Sequence, residues 1–450
     1  MILHGPYNRR AATSDMMRGM TNESSRRNFL TGAGTALTTS IFTGNVKGAN
    51  DRVSAAFIGV GRMGQSNLGY AMKQPGLQVA AICDVYQPNL ERAVAAARKA
   101  GHQPREVKDF REILADKSID IVNISTPDHW HAYITVEACK AGKDVYVEKP
   151  VCTVIEEGEK MVQAARKYNR VVQAGTMQRS ALHFQKACEL VRSGELGKVT
   201  FVRTWNYGSM PETGIGNPPD EAPPAGLDWD LWLGPAPKRP FNKNRFGVND
   251  KSFSYFRWFW DYAGGMMTDW GVHWLDIVQL AFNESMPTAI TALGTKSWLK
   301  DNRDTPDTLQ VTYEYPEGFV ATYENRNNNR QSMFEKSSGI LFCGSKATLF
   351  VDRHEYTLVP EGRGERVTEK AESSGNARHW ANFLECVRTR EKPTSDIEKC
   401  FRSTSTCLLG NVALRSKVRV DWDVASLTVK QPEAKPFLKR EYRKPWKLTV

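Results

Sequence analysis

Short apolar runs alternate with stretches of helical period through the first part of the chain. The run from Ala55 to Ile58 enters the glycines of GVGRMG and turns helical, and QVAAICDV then reads as a second strand ending at Asp84. A helix near Asn89 to Lys99, the strand IDIVNIST, the helix ITVEACKAG, the strand DVYVEKP, the helix EEGEKMVQAARKY and the strand RVVQAG follow. Mostly apolar strands separated by helices predict a doubly wound parallel sheet, which binds ligands beyond the carboxyl ends of its strands.

Past a helix over Ala181 to Arg192 the pattern changes. KVTFVRTWNYG, AITALGTKSW, TLQVTYEYP, FVATYENR and ILFCGSKATLFV are strand-like runs, and several alternate apolar with polar positions, as a sheet with two unlike faces requires. Between the first two, Pro211 to Phe256 is rich in Pro, Gly and Asn, which reads either as a loop over a site or as a packed surface loop. Further on, GGMMTDWGVHWLD places Asp269, His273 and Asp276 at spacings of four and three. On one helix they share a face and can converge on one point, as a metal site, an acid/base group or a structural cluster.

These patterns divide the 450 residues into a leader (1–50), a nucleotide-type domain (51–175) and a second α/β domain (176–450) carrying the loop at 210–256. The net charge of +11 is scattered except at the ends, where Lys430 to Val450 holds seven Lys/Arg against two Glu. With no zinc-finger spacing and no RNA-binding aromatic signature, nucleic acid is not the expected partner. The eight cysteines show no CxxC; Cys83, Cys139 and Cys188 fall in apolar runs and read as buried, reduced thiols. No run is long enough to span a bilayer. In the leader, Arg26 and Arg27, then Phe29 and Leu30 and a Gly/Ala/Thr-rich stretch, read as a twin-arginine export signal, which implies a translocation receptor as partner and a periplasmic destination.

Gly59, Gly61 and Gly64 form a G-x-G-x-x-G turn between a strand and a helix, with Arg62 and Met63 inside it, and Asp84 follows Gly64 by 20 residues. Such glycines let backbone approach a pyrophosphate, and a carboxylate at Asp84 suits a ribose and repels a 2'-phosphate, so NAD is expected rather than NADP. Two further strand ends are chemically loaded: STPDHWHA, with Thr126, Pro127 and His131, and EKP, with Glu148 and Lys149. Gln178 and Arg179, where the domains should meet, suit either sugar hydroxyls or an ordered junction. Trp270 and its neighbours suit either a sugar's apolar face or the core. No metal is assigned, because nothing clearly completes a ligand set around Asp269 and His273.

Taken together, GVGRMG, CDV, NISTPDHWH, GKDVYVEKP and DxGxHxxD resemble the Gfo/Idh/MocA oxidoreductases over nearly the whole chain from about residue 51. The resemblance implies a Rossmann domain followed by an α/β domain with a large, mostly antiparallel open sheet, and a homo-oligomer formed through that sheet. It carries a catalytic lysine onto Lys149 and an acid and histidine onto Asp269 and His273. The implied activity is NAD-dependent hydride transfer at a sugar or polyol hydroxyl. An exported protein would carry its cofactor with it and recycle it in place. The alternatives are glycoside cleavage or epimerisation through transient oxidation and, from another class, a non-catalytic carbohydrate- or cofactor-binding protein.

Overall fold

The computed structural model describes residues 52–246, 254–333 and 335–450, so the leader with Arg26 and Arg27 lies outside the described residues. The first domain runs β1 (Val53–Ile58), α1 (Arg62–Ala71), β2 (Leu77–Cys83), α2 (Gln87–Lys99), β3 (Arg105–Val107), α3 (Phe110–Ala115), β4 (Ile121–Ile124), α4 (Asp128–Lys140), β5 (Asp144–Val147), α5 (Ile155–Lys167) and β6 (Val172–Ala174). Its strands lie in the order β3-β2-β1-β4-β5-β6, all parallel. β4 and β5 are buried at every position, as strands covered on both faces must be. The order reverses between β1 and β4, which opens a crevice above their carboxyl ends. One expectation is corrected here. The helix ITVEACKAG begins six residues earlier, at Asp128, directly after Pro127, whose fixed φ of -59° and missing N–H are tolerated at a helix entry and not within the helix. STPDHWHA is therefore the turn and first turn of α4.

The second domain continues with α6 (Leu182–Arg192), β7 (Val199–Tyr207), α7 (Trp229–Leu233), α8 (Lys243–Phe246), α9 (Gly265–Asp269) and α10 (Gly271–Ala281). Then come β8 (Ala289–Thr295), β9 (Thr308–Glu314), β10 (Val320–Arg326), β11 (Ser338–Gly344), β12 (Ala347–Val351), β13 (Glu355–Pro360) and β14 (Val367–Lys370). α11 (Asn376–Thr389), α12 (Ile397–Ser416), β15 (Val420–Asp423) and β16 (Thr428–Val429) complete it. Ten strands form one sheet in the order β14-β13-β12-β11-β7-β10-β9-β8-β15-β16, antiparallel except between β7 and β10. The fold is the expected Rossmann domain followed by a mostly antiparallel sheet. Two runs divide differently from the sequence reading. ILFCGSKATLFV is a hairpin, with Ile340 opposite Val351, because Ser345 and Lys346 turn the chain. GGMMTDWGVHWLD is two helices, broken at Trp270.

The sequence boundary near residue 175 is not a boundary of packing. α11 returns to the first domain, where Trp380 stacks on Tyr146 at 4.5 Å and lies in one core with Phe57 and Val79. Such a ring pair adds about 1 kcal/mol to the area it buries. The basic C-terminal tail also returns. Arg440 Nε and the Tyr442 hydroxyl donate to Glu157, Arg440 Nη2 donates to the His129 carbonyl, and Trp446 meets Trp130 at 4.8 Å. The Pro/Gly-rich segment is a packed lobe, with Trp232, Phe241 and Phe246 in a core shared with Phe259 and Tyr262. Among the described residues, no helix is long and apolar enough to cross a membrane.

Candidate active site

The crevice at the strand reversal is built first by glycine. Gly59 has φ +80°, and a Cβ there would meet the Thr126 nitrogen at 2.7 Å; one on Gly64 would meet the Gly59 carbonyl oxygen at 2.0 Å. Those two glycines are required by the packing of β1 against α1 and β4. Gly61 is different, because its Cβ would find only Asn89 Nδ2, at 3.9 Å, so its open side faces the cavity. That is the cradle a pyrophosphate needs, and the fit to a dinucleotide rests on it. The cavity is lined by Gly59, Gly61, Arg62, Met63, Asp84, Thr126, Pro127, His131, Glu148 and Lys149. Gly64 stands behind it. Leu231, Trp232, Phe246 and Phe256 of the lobe form its opposite wall.

Asp84 accepts from the backbone nitrogens of Val60 at 2.8 Å and Tyr86 at 2.9 Å, which fixes its carboxylate at the end of β2. Burial raises its pKa to about 6, against the pull of those bonds. His131 ties two strand ends together: Nδ1 is 2.7 Å from the Pro150 carbonyl oxygen and Nε2 is 2.9 Å from that of Thr126. His129 belongs to the lobe's anchorage instead, with Nε2 3.0 Å from the Trp232 carbonyl oxygen. Glu148 accepts from Asn67 Nδ2 at 2.8 Å and lies against Gly175, where a Cβ would meet Oε1 at 2.8 Å.

Lys149 emerges from β5 and reaches across to the second domain. Its Nζ donates to the Asp269 carbonyl at 2.8 Å and to Asp269 Oδ1 at 3.0 Å, while Arg257 Nε lies 3.2 Å from Asp269 Oδ2. Burial alone would raise the Asp269 pKa, but Arg257 and Lys149 outweigh it and hold the carboxyl well below the usual range. His273 is buried, its Nδ1 without a hydrogen-bond partner. Burial, then Arg353 and Lys149, push its pKa well below the ordinary value, so the ring is neutral. Sequence reasoning missed Arg257, which comes from the lobe, and Arg353, which comes from the turn after β12. Neither carries a local motif. It also left Asp128 unassigned: Asp128 lines the same cavity, and burial raises its carboxyl to about 7, with Lys149 and Arg257 pulling the other way.

The three polar residues of GGMMTDWGVHWLD diverge rather than converge. The break at Trp270 turns Asp269 toward Lys149 and Arg257, whereas Asp276 faces Arg179. Arg179 Nε donates to Asp276 Oδ1 and Oδ2 at 2.9 and 2.8 Å, and Nη2 donates to Glu284 at 2.8 Å. With its side chain fully buried, Arg179 orders the junction; a substrate-binding role for it is corrected. Gln178 is buried too, donating to the His273 carbonyl at 3.0 Å and accepting from Arg353 Nε at 3.0 Å. Trp270 is half-buried beneath the Arg353 guanidinium, 4.5 Å from its ring centre, while Trp274 is core. His379 bridges Ser180 and the Ala174 carbonyl, away from the cavity. Among the described residues no cluster of three His, Cys, Asp or Glu can hold a metal ion.

Comparison with known proteins matches the same two domains. Residues 53–176 fit the oxidoreductase family's NAD-binding Rossmann fold, and residues 202–448 fit its C-terminal alpha/beta domain. An inositol 2-dehydrogenase of Salmonella typhimurium is 29% identical over 164 residues, 36% of this chain and 48% of that protein. A glycosyl hydrolase family 109 protein of a Shewanella species is 32% identical over 170 residues, 32% of this chain and 37% of that protein. The alignments thus span half or less of these curated relatives. In fold, the chain is similar to levoglucosan dehydrogenase in complex with NADH and levoglucosan, with a TM-score of 0.61, 18% identity, and coverage of 82% of this chain and 99% of that one. It is similar also to an aldose-aldose oxidoreductase from Caulobacter crescentus, with a TM-score of 0.62, 18% identity and the same coverage. The chain belongs to the Gfo/Idh/MocA oxidoreductase family, and its first domain is that family's NAD-binding Rossmann fold.

Proposed function

We propose that the protein is an NAD-dependent oxidoreductase acting on a hydroxyl of a sugar or polyol. The observation that carries this reading is the Lys149–Asp269 bridge, because both residues line the nucleotide cavity while they tie the two domains together. Gly59, Gly61, Arg62, Met63, Asp84, Thr126, Pro127 and His131 would hold the cofactor, with Asp84 receiving the ribose hydroxyls. When bound, NAD supplies hydride acceptance and return.

The chain's own residues handle the rest. As a hydroxyl-bearing carbon is oxidised, its proton must leave, and a carbonyl oxygen forms where a donor has to support it. The neutral His273 can take that proton, and the Lys149 ammonium stabilises the oxygen. Asp269 does not compete for the proton, because two cations hold it as a carboxylate; it aims the lysine and offers an acceptor to a neighbouring hydroxyl.

Export through the twin-arginine route is part of the same proposal, and it favours a cofactor that stays bound and is recycled between two substrates. Family 109 glycosyl hydrolases among the partial relatives support a second reading, in which the hydride returns to the same sugar after epimerisation or glycoside cleavage. A homo-oligomer through the open sheet is proposed on the exposed face of β8, where Leu293 is 81% exposed.

The test is to purify the protein, follow NAD through gel filtration, and add sugars and polyols while reading the bound-nicotinamide absorbance. Co-elution of NAD and reduction by at least one substrate are expected. Lys149→Met should retain NAD and lose turnover by about a hundredfold or more. Unchanged turnover in that variant would remove the lysine from the mechanism.

A further inference from the structure

Three cationic side chains gather around Asp269, Lys149 from the first domain and Arg257 and Arg353 from the second. Lys149 and Arg257 are both engaged by the two oxygens of Asp269. Arg353 is not. It leaves the turn between β12 and β13, covers Trp270 at 4.5 Å, and donates through Nε to an uncharged acceptor, Gln178 Oε1, at 3.0 Å. Among the described residues no carboxylate lies within ion-pair distance of it, although the neighbouring Asp352 does answer Lys336 and the backbone of His354 and Glu355. Its guanidinium is substantially desolvated, which lowers its pKa; Asp269 is the acid that offsets this.

A largely buried guanidinium with no carboxylate in direct contact is costly, and a planar carboxylate answers it with two parallel hydrogen bonds. From this juxtaposition beside Trp270 and His273 we infer that the substrate is an acidic sugar, an aldonate or a uronate, whose carboxylate is bound by Arg353. A neutral sugar would offer only hydroxyl oxygens and leave the Arg353 guanidinium without a carboxylate. The inference rests on the oxidoreductase reading of the same site. It adds Arg353 as the residue that selects the substrate class.

The experiment compares gluconate and glucuronate with glucose and inositol as reductants of the bound nicotinamide in the purified protein. The acids are expected to exceed the neutral compounds in kcat/KM by about tenfold or more. Arg353→Met should reduce that ratio by a similar factor, mainly through KM, and Arg353→Lys should restore part of it. Equal or better reduction by neutral sugars in the unaltered protein overturns the inference and leaves the oxidoreductase reading standing. No reduction by either class overturns both. A ratio unchanged in Arg353→Met removes Arg353 from recognition.

Discussion

Asp128 and Asp269 line one cavity, and their surroundings drive them in opposite directions. Asp269 has two cations against its oxygens and stays ionised. Asp128 is buried with Lys149 and Arg257 acting only from a distance, so its pKa rises to about 7. A raised carboxyl pKa means that the folded state holds the proton more tightly than the unfolded chain, whose value is 3.8. Stability from that proton is fully present below the unfolded value and is lost as pH rises through about 7. Asp128→Asn should therefore stabilise the protein at pH 8, by roughly 1 to 3 kcal/mol, and by much less at pH 5. Urea unfolding at the two pH values checks this; a gain independent of pH would show that Asp128 is not a buried, proton-holding acid. At this scale the sequence was most legible where a motif fixes local backbone, as at Gly59, Gly61 and Gly64. It was least legible for Arg257 and Arg353, which lie far along the chain from Lys149 and meet its neighbourhood only through the fold.

The elements show a similar division. Strands covered on both faces announced themselves as apolar runs, so β1, β2, β4 and β5 were readable. The edge strands β3, β14 and β16 are short and partly exposed, and without a buried face they leave no period to read. The helix of Asp269 and His273 was legible as helical but not as broken, because the break at Trp270, just before Gly271, carries no Pro to mark it and the apolar period runs on through it. Its consequence is that Asp276 belongs to the framework and Asp269 to the site. Asp276→Asn should cost about 3 kcal/mol, since it leaves the buried Arg179 with Glu284 alone. Thermal unfolding measures the loss, and NAD should still bind at the lower temperature. A variant as stable as the original would mean that the buried pair contributes no net stability.

For the whole molecule, the chain's last residues close the first domain. Arg440 and Tyr442 answer Glu157, which is 2% exposed, and Trp446 packs on Trp130, itself a wall of the nucleotide cavity. Arg440→Met leaves that carboxylate without its cation and should destabilise the protein by about 3 kcal/mol. Because the same arginine holds the His129 carbonyl at the start of α4, bound NAD should also exchange faster. Fluorescence of released NADH, chased with unlabelled cofactor, reads that rate; an unchanged rate would separate the tail from cofactor retention.

By itself the sequence determined the nucleotide-binding domain, the alternation of its strands and helices apart from β3 and α3, the glycine turn, the place of Asp84 at the end of β2, and the presence of a second domain with an open sheet. Those features depend on local periodicity and backbone freedom, which neighbouring residues specify. Only the tertiary structure decided that Arg179 is framework, that Arg257 and Arg353 join the site, that α11 and the tail complete the first domain, and that Asp269 is held ionised. Each of these depends on which distant side chains desolvate and charge one another, and no stretch of chain encodes that alone.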